Sequence, residues 1–123
     1  MKRSIITDMD WHAVFYMDVR GNQPVKDFVL RQSDGAIAEI LHVFDLLMRF
    51  NITLGMPYVE KIGKSGIREL RIKHGSDIYR IFFFAHTGRN FVLLHAIKKK
   101  SNRLSQNDVS LAIDRMNDYK ARA

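Results

Sequence analysis

The sequence predicts an α+β domain: an N-terminal strand, a two-helix hairpin, a three-stranded antiparallel meander and a C-terminal helix. Three observations carry this. Apolar residues recur at three- and four-residue steps across 36–51, the spacing of one helix face. Three runs rich in β-branched and aromatic residues follow at about 67–73, 78–85 and 91–98, separated by "HGSD" and "HTGRN", which are turn compositions. Ser105, with Asp108 three residues on, opens a last apolar-periodic stretch in the manner of a helix cap.

The elements follow in order. "WHAVFYMDV" (11–19) reads as the first strand, and "RGNQP" turns the chain. Pro24 suits a first helical position, where its missing N–H is not needed. That helix runs through "VKDFVLRQ" and is expected to stop near Gly35, a left-handed C-terminal position. In the second helix Ile37, Ile40, Leu41, Phe44, Leu47 and Met48 make one stripe. "GMPYVEKIGKSG" then breaks the pattern through Pro57, Gly63 and Gly66. In the final helix Val109, Ala112, Ile113 and Met116 form the stripe to be buried. No repeat or long linker divides the 123 residues, so a single domain over 1–123 is expected, with 1–10 as a flexible N-terminal extension.

Composition narrows the function classes. Apolar residues are 46% and charged residues 27% of the chain, a globular profile. No apolar run approaches the roughly 20 residues of a membrane span, so no membrane association is expected. "MKRSIITDMD" starts basic but lacks a long apolar core and a small-residue cleavage site, so no signal peptide is expected. The absence of cysteine removes disulfides and thiolate zinc sites and fits a cytoplasmic location. The formal net charge is +7, and its distribution is uneven. Between Lys61 and Arg103 there are eleven Lys and Arg against only Glu69 and Asp77, the electrostatic footprint of a polyanion partner.

Arginines inside an apolar meander need an explanation. A turn on Gly75-Ser76 sets Arg71 across from Arg80. A two- or four-residue loop at Thr87-Gly88 then sets Arg80 across from His95. In these registers Arg68, Leu70, Ile72, Tyr79, Ile81, Phe83, Val92, Leu94 and Ala96 share the face expected under the helices. Glu69, Arg71, Lys73, Arg80, Phe82, Phe84, Leu93, His95 and Lys99 share the other. Like charges directly opposite cost about 0.2–1 kcal/mol per pair, so the row makes sense if an anion sits on it, and the guanidinium fork suits phosphate. Glu69 offers the competing arrangement, in which it pairs with a neighbouring arginine and Arg80 is a satisfied core residue.

Familiar catalytic signatures are missing. There is no GxGxxG and no Walker loop, "GKSG" is too short for one, and His12, His42, His74, His86 and His95 lack metal-ligand spacing. No metal and no small-molecule cofactor are expected. RNA cleavage without metal fits what remains, because the 2′-OH of the RNA is itself the nucleophile. Arg71 and Arg80 would hold the phosphate. His95, Lys98, Lys99 or Lys100 would move protons. Lys64, Arg68, Lys73, Lys100 and Arg103 would grip the backbone.

Glu69-Leu70-Arg71, Tyr79-Arg80, Leu94-His95, Lys98-Lys99 and a last helix with Ala112 and Arg115, preceded by Trp11, Val14, Tyr16, Pro24-Val25 and Phe28, stand in an order that resembles the phage-derived Gp49-like toxins. These are the HigB-type branch of the RelE/ParE superfamily. The resemblance implies a RelE-like fold and the toxin of a type II toxin–antitoxin pair, acting as a metal-independent, ribosome-dependent endoribonuclease on mRNA. Its implied partners are a helix-turn-helix antitoxin, the ribosome and mRNA. Carried over by position, Arg71, Arg80 and Lys98-Lys99 are the catalytic candidates, with His95 a further one. Two other functions compete: a non-catalytic ParE-like inhibitor of DNA gyrase, and a plain RNA- or ribosome-binding module.

Overall fold

A computed structural model describes residues 11–55, 57–99 and 105–123, with the side chains of Ile52 and Lys99 left undefined. The expected N-terminal extension at 1–10 lies outside the described residues. Among these residues five strands and three α-helices follow one another: β1 (His12–Phe15), α1 (Pro24–Leu30), α2 (Asp34–Phe50), a single 3₁₀ turn (Asn51–Thr53), β2 (Val59–Lys61), β3 (Arg68–His74), β4 (Asp77–His86), β5 (Asn90–Lys99) and α3 (Gln106–Arg122). The strands form one mixed sheet in the order β1-β5-β4-β3-β2. β1 runs parallel to β5 and every other pair is antiparallel.

The α+β architecture is as the sequence predicts, with one strand more. β2 pairs Val59 with Leu70 and Lys61 with Arg68, inside the stretch read as a flexible turn. It is three residues long and sits between Pro57 and Gly63, so no periodicity announces it. The helix boundaries also shift. α1 starts at Pro24 as expected but ends at Leu30. Gly35 is not its terminus, because Ser33 already caps α2, its side chain accepting from the Ala36 N–H at 3.2 Å.

Both faces of the sheet are covered, which alternation along the strands alone did not indicate. On one side Val25, Val29, Ile40, Val43, Phe44 and Leu47 of the helical hairpin meet Leu70, Ile72, Tyr79, Ile81, Phe83, Phe91 and Leu93. On the other, Ala112 and Met116 of α3 pack with Tyr16, Ile67, Phe82, Phe84, Val92 and Leu94. Leu93 was therefore expected on the wrong face, as were Val92 and Leu94.

The cause is the second hairpin. The first register is as read, with Arg71 opposite Arg80. The β4–β5 loop has three residues between paired His86 and Asn90, and a bulge between Phe82 and Phe83 shifts the register again. Gly88 (φ 79°) and Arg89 (φ 61°) supply the left-handed turn. Arg80 consequently faces Ile97, and His95 faces Phe82.

α3 is fastened at both ends. Ser105 accepts from the Asn107 N–H at 3.2 Å, and Asp108 reaches His95, 2.8 Å from its Nε2. At the other end the Tyr16 hydroxyl donates to Asp118 Oδ2 at 2.6 Å. Arg122 donates to the same carboxylate and to the Met17 carbonyl, each at 2.6 Å. The guanidiniums of Arg115 and Arg122 each lie 5.8 Å from the Tyr16 ring centre, within cation–π range.

This clasp titrates. Burial, then the Asp118 carboxylate, raises the Tyr16 hydroxyl above the ordinary tyrosine value. Hydrogen bonds from Arg122 and then Tyr16 hold Asp118 below the ordinary carboxylate value. The Tyr16 contribution is therefore complete below pH about 10 and is lost as pH rises through the higher folded value. The Asp118 contribution is present above pH about 4 and is lost as pH falls through the lower one. Urea midpoints measured across pH should show a shallower alkaline decline for Tyr16→Phe and a shallower acid decline for Asp118→Asn. Unchanged limbs would mean that the clasp does not couple folding to protons.

Candidate functional site

The arginines of the meander belong to a checkerboard of four charges spread over three strands. Glu60 on β2 stands opposite Glu69 on β3, and Arg71 stands two residues beyond Glu69, opposite Arg80 on β4. Side chains two apart on a strand share a face, so the register gathers all four. Arg80 Nη1 lies 3.0 Å from Glu69 Oε2, with the two side chains 0% and 2% exposed. Arg71 Nη2 lies 3.4 Å from Glu69 Oε1 and 3.1 Å from Glu60 Oε1. Arg71 is 23% exposed and Glu60 54%.

This answers why the sheet tolerates two facing guanidiniums. Glu69 sits between them and offers an oxygen to each. Burial makes the pairing obligatory, since a buried charge left alone costs several kcal/mol. The expectation that Arg80 holds a phosphate is corrected here: no part of its side chain reaches the surface. Arg71 keeps an exposed side, and its outer partner is a solvated glutamate, whose ion pair is worth only about 0–1 kcal/mol. An incoming anion competes with Glu60, not with the buried pair.

His95 is also committed internally. Its ring stacks on Phe82 with centres 5.7 Å apart, its Nε2 faces Asp108, and its Nδ1 lies 3.5 Å from Arg115 Nη1. Arg115 Nη1 donates at 2.9 Å to the Leu94 carbonyl. His95 is therefore a strut between β5 and α3, and the expected Arg71–Arg80–His95 row does not form.

The lysines assemble differently. Lys73 pairs with Ile78, which also pairs with Lys99, and Lys98 pairs with Tyr79. The backbone thus brings positions 73, 98 and 99 to one end of the sheet, two residues beyond Arg71 along β3. Lys73 and Lys98 are exposed. Lys100 and Arg103 lie outside the described residues. Lys64 and Arg68 stand elsewhere, lining with Lys61 a cavity of about 340 Å³ around the β2–β3 loop. Gly63 and Gly66 turn the backbone there with φ of 53° and 89°.

Sequence reasoning missed two contributors. Glu60 was hidden because β2 was not expected. Tyr58 accepts the Arg71 N–H through its carbonyl at 2.7 Å, and only that strand placement reveals it. Among the described residues no group of three or more His, Asp or Glu could hold a metal ion, and no helix is long and apolar enough to cross a membrane.

Residues 27–117 match the family of phage-derived Gp49-like proteins (DUF891). The chain belongs to this Gp49-like family. The matched span runs from α1 almost to the end of α3, so the family region contains the whole four-charge lattice, the lysine-bearing sheet end and the His95 strut. No curated protein matches the sequence significantly.

The lattice predicts an asymmetry in this Gp49-like chain. Glu69→Leu, which strands Arg80, should cost about 3–5 kcal/mol in urea unfolding, whereas the Glu69→Leu, Arg80→Met pair should recover most of it. A double variant as unstable as the single one would show that the pair does more than cancel its own burial.

Proposed function

We propose that this Gp49-like protein is the toxin of a type II toxin–antitoxin pair, a HigB-type member of the RelE/ParE superfamily. It cleaves mRNA on the ribosome without a metal ion. One observation carries the proposal. Arg71 is a partly exposed arginine whose inner carboxylate is already neutralised by a buried second arginine, and it stands beside a sheet end built from lysine positions. Arg71, Arg80 and Glu69 together leave one positive charge, and on the outer side of Arg71 the solvated Glu60 faces it. A phosphodiester that displaces Glu60 meets a guanidinium held in place from beneath, the preorganised donor that phosphoryl chemistry needs.

In the reaction the ribose 2′-oxygen bonds to the adjacent phosphorus and the bond from phosphorus to the 5′-oxygen breaks. The 2′-proton leaves to a base, and the departing 5′-oxygen gains a proton. The products are a 2′,3′-cyclic phosphate and a 5′-hydroxyl end. Arg71 steadies the charge that builds on the phosphoryl oxygens. Lys98 and Lys99, whose backbone positions lie at the strand end, take the proton-transfer roles. Arg80 acts through Glu69 as a positioning residue. Lys64, Arg68 and Lys73 hold flanking backbone phosphates, with Lys100 and Arg103 following them in sequence. A helix-turn-helix antitoxin is the neutralising partner, and the cytoplasm, where ribosomes are, is the compartment.

A second reading draws support from the commitment of Arg80 and His95 to internal contacts. With Arg80 buried and His95 engaged by Asp108 and Phe82, the remaining cations also suit a ribosome- or RNA-binding module that does not cleave.

Induction in bacteria should arrest growth and produce new 5′-hydroxyl ends within translated codons. Arg71→Ala should lower their yield by about 10²-fold while the protein remains folded. Ribosome co-sedimentation with intact RNA would favour the binding module, and arrested replication with intact RNA would favour gyrase inhibition.

A further inference from the structure

At the loop end of β2 and β3, Lys61 stands directly opposite Arg68. Like charges so placed cost about 0.2–1 kcal/mol. Arg71 and Arg80 have Glu69 to reconcile them, and this second pair has no such group. Glu60 and Glu69 each sit one position along the strand and so point to the other face, where they hold Arg71 and Arg80. Among the described residues no carboxylate pairs with Lys61, with Arg68 or with Lys64 of the connecting loop. The only acids beyond those residues are Asp8 and Asp10. Both precede β1 in sequence, and β1 is the edge strand opposite β2.

The three cations are brought together by a loop that holds its own shape. The Ser65 hydroxyl donates to the Ile62 carbonyl at 2.8 Å and accepts the Ile67 N–H at 3.0 Å. The Ile62 N–H closes the turn on the Ile67 carbonyl, also at 3.0 Å. Gly63 and Gly66 take the positive φ that this path requires. Lys61, Lys64 and Arg68 line the resulting cavity of about 340 Å³ together with the two glycines and Ile67, and no acid is among its lining residues. Lys61 and Lys64 are exposed and Arg68 is half-buried, so the charges are open to solvent.

We propose that this loop cavity is a phosphate site in its own right, which anchors single-stranded RNA away from the bond that is cut. The proposal rests on the RNA-directed reading above and adds a second, separate point of attachment to it. A phosphate supplies what the loop lacks, a compact anion with several oxygens. The Arg68 guanidinium can donate to two of them while the lysine ammonium groups meet the rest. Arg68 precedes Arg71 by three residues, about 10 Å of strand, and points to the opposite face. The two arginines therefore serve different phosphates. The loop holds the strand by its backbone and reads no base, as phosphate contacts generally do.

Binding of a labelled single-stranded oligoribonucleotide to the full-length protein is measured by anisotropy across salt concentrations. In the triple variant Lys61→Gln, Lys64→Gln, Arg68→Gln the slope of log affinity against log salt should flatten by about 0.7, the loss of one phosphate contact on a single strand. The Lys61→Gln, Lys64→Gln double variant alters only exposed side chains and should flatten it in the same direction, which keeps the test decisive if the triple variant does not fold. Inorganic pyrophosphate should shift the amide signals of Gly63, Lys64 and Gly66 in the wild type and equally in Arg71→Ala, and the oligoribonucleotide should displace it. An unchanged slope in both variants, silent loop amides, or loss of the shifts in Arg71→Ala would each overturn the proposal. Pyrophosphate that RNA cannot displace would make the loop a site for free anions and overturn the RNA anchor. The two readings fail separately. RNA cleavage by a protein whose loop never touches phosphate sinks only the anchor, and RNA held at the loop of a protein that never cuts sinks only the nuclease.

Discussion

A single carboxylate, Glu69, governs how this sheet can be built. It lies 2% exposed between two guanidiniums, one of them entirely out of water, and no neutral side chain could balance both. Once Glu69 is in place, Arg80 becomes a core residue and Arg71 becomes the only arginine of the pair with a side to offer. The surface chemistry of the β3 edge is thus decided one layer down. Such an arrangement need not add stability over apolar packing. What it provides is a fixed orientation for a side chain that would otherwise sample many rotamers, and it confines the resulting positive charge to one place.

The second constraint is that both faces of the sheet are roofed. α3 is attached at its start through Asp108 and His95 and at its end through Asp118, Tyr16 and Arg122. Phe82, Phe84 and Leu94 then have cover, and a strand that is buried for six consecutive residues, Tyr79 to Phe84, becomes affordable. His95 serves this purpose. A histidine with a carboxylate at one nitrogen and a guanidinium near the other has a structural task, although its residue type suggests proton transfer.

Much of the fold was readable from local chemistry. Pro24 and Ser105 mark helix starts because each solves the problem of unpaired N–H groups at a helix end. Gly75 sets the first hairpin register because its turn needs a positive φ, observed at 62°. Legibility stopped where geometry is not local. A three-residue loop and a bulge between Phe82 and Phe83 moved His95 away from Arg80 and exchanged the faces of Val92, Leu93 and Leu94, and no residue type in that run demands a bulge. Arg80 was read as a surface charge because arginine is rarely buried. Glu69, two residues before Arg71, was the visible hint of the alternative, but only strand pairing shows which arginines it reaches. The lysine-rich sheet end was legible as charge, while Glu60 and Tyr58 could join the site only after β2 had paired with β3.

The parallel pairing of β1 with β5 has a consequence for how the chain is made. His12 lies beside Asn90, and the Tyr16 N–H bonds to the Leu93 carbonyl, so β1 has no strand neighbour among the described residues until β5 has been synthesised. Closing so long a span is entropically slow, and topologies dominated by distant contacts fold slowly. During translation the emerging segment "HAVF" waits with both edges open, and a fragment that stops before β5 cannot recruit it. The sheet therefore closes only once β5 has left the same machine that this protein is proposed to attack.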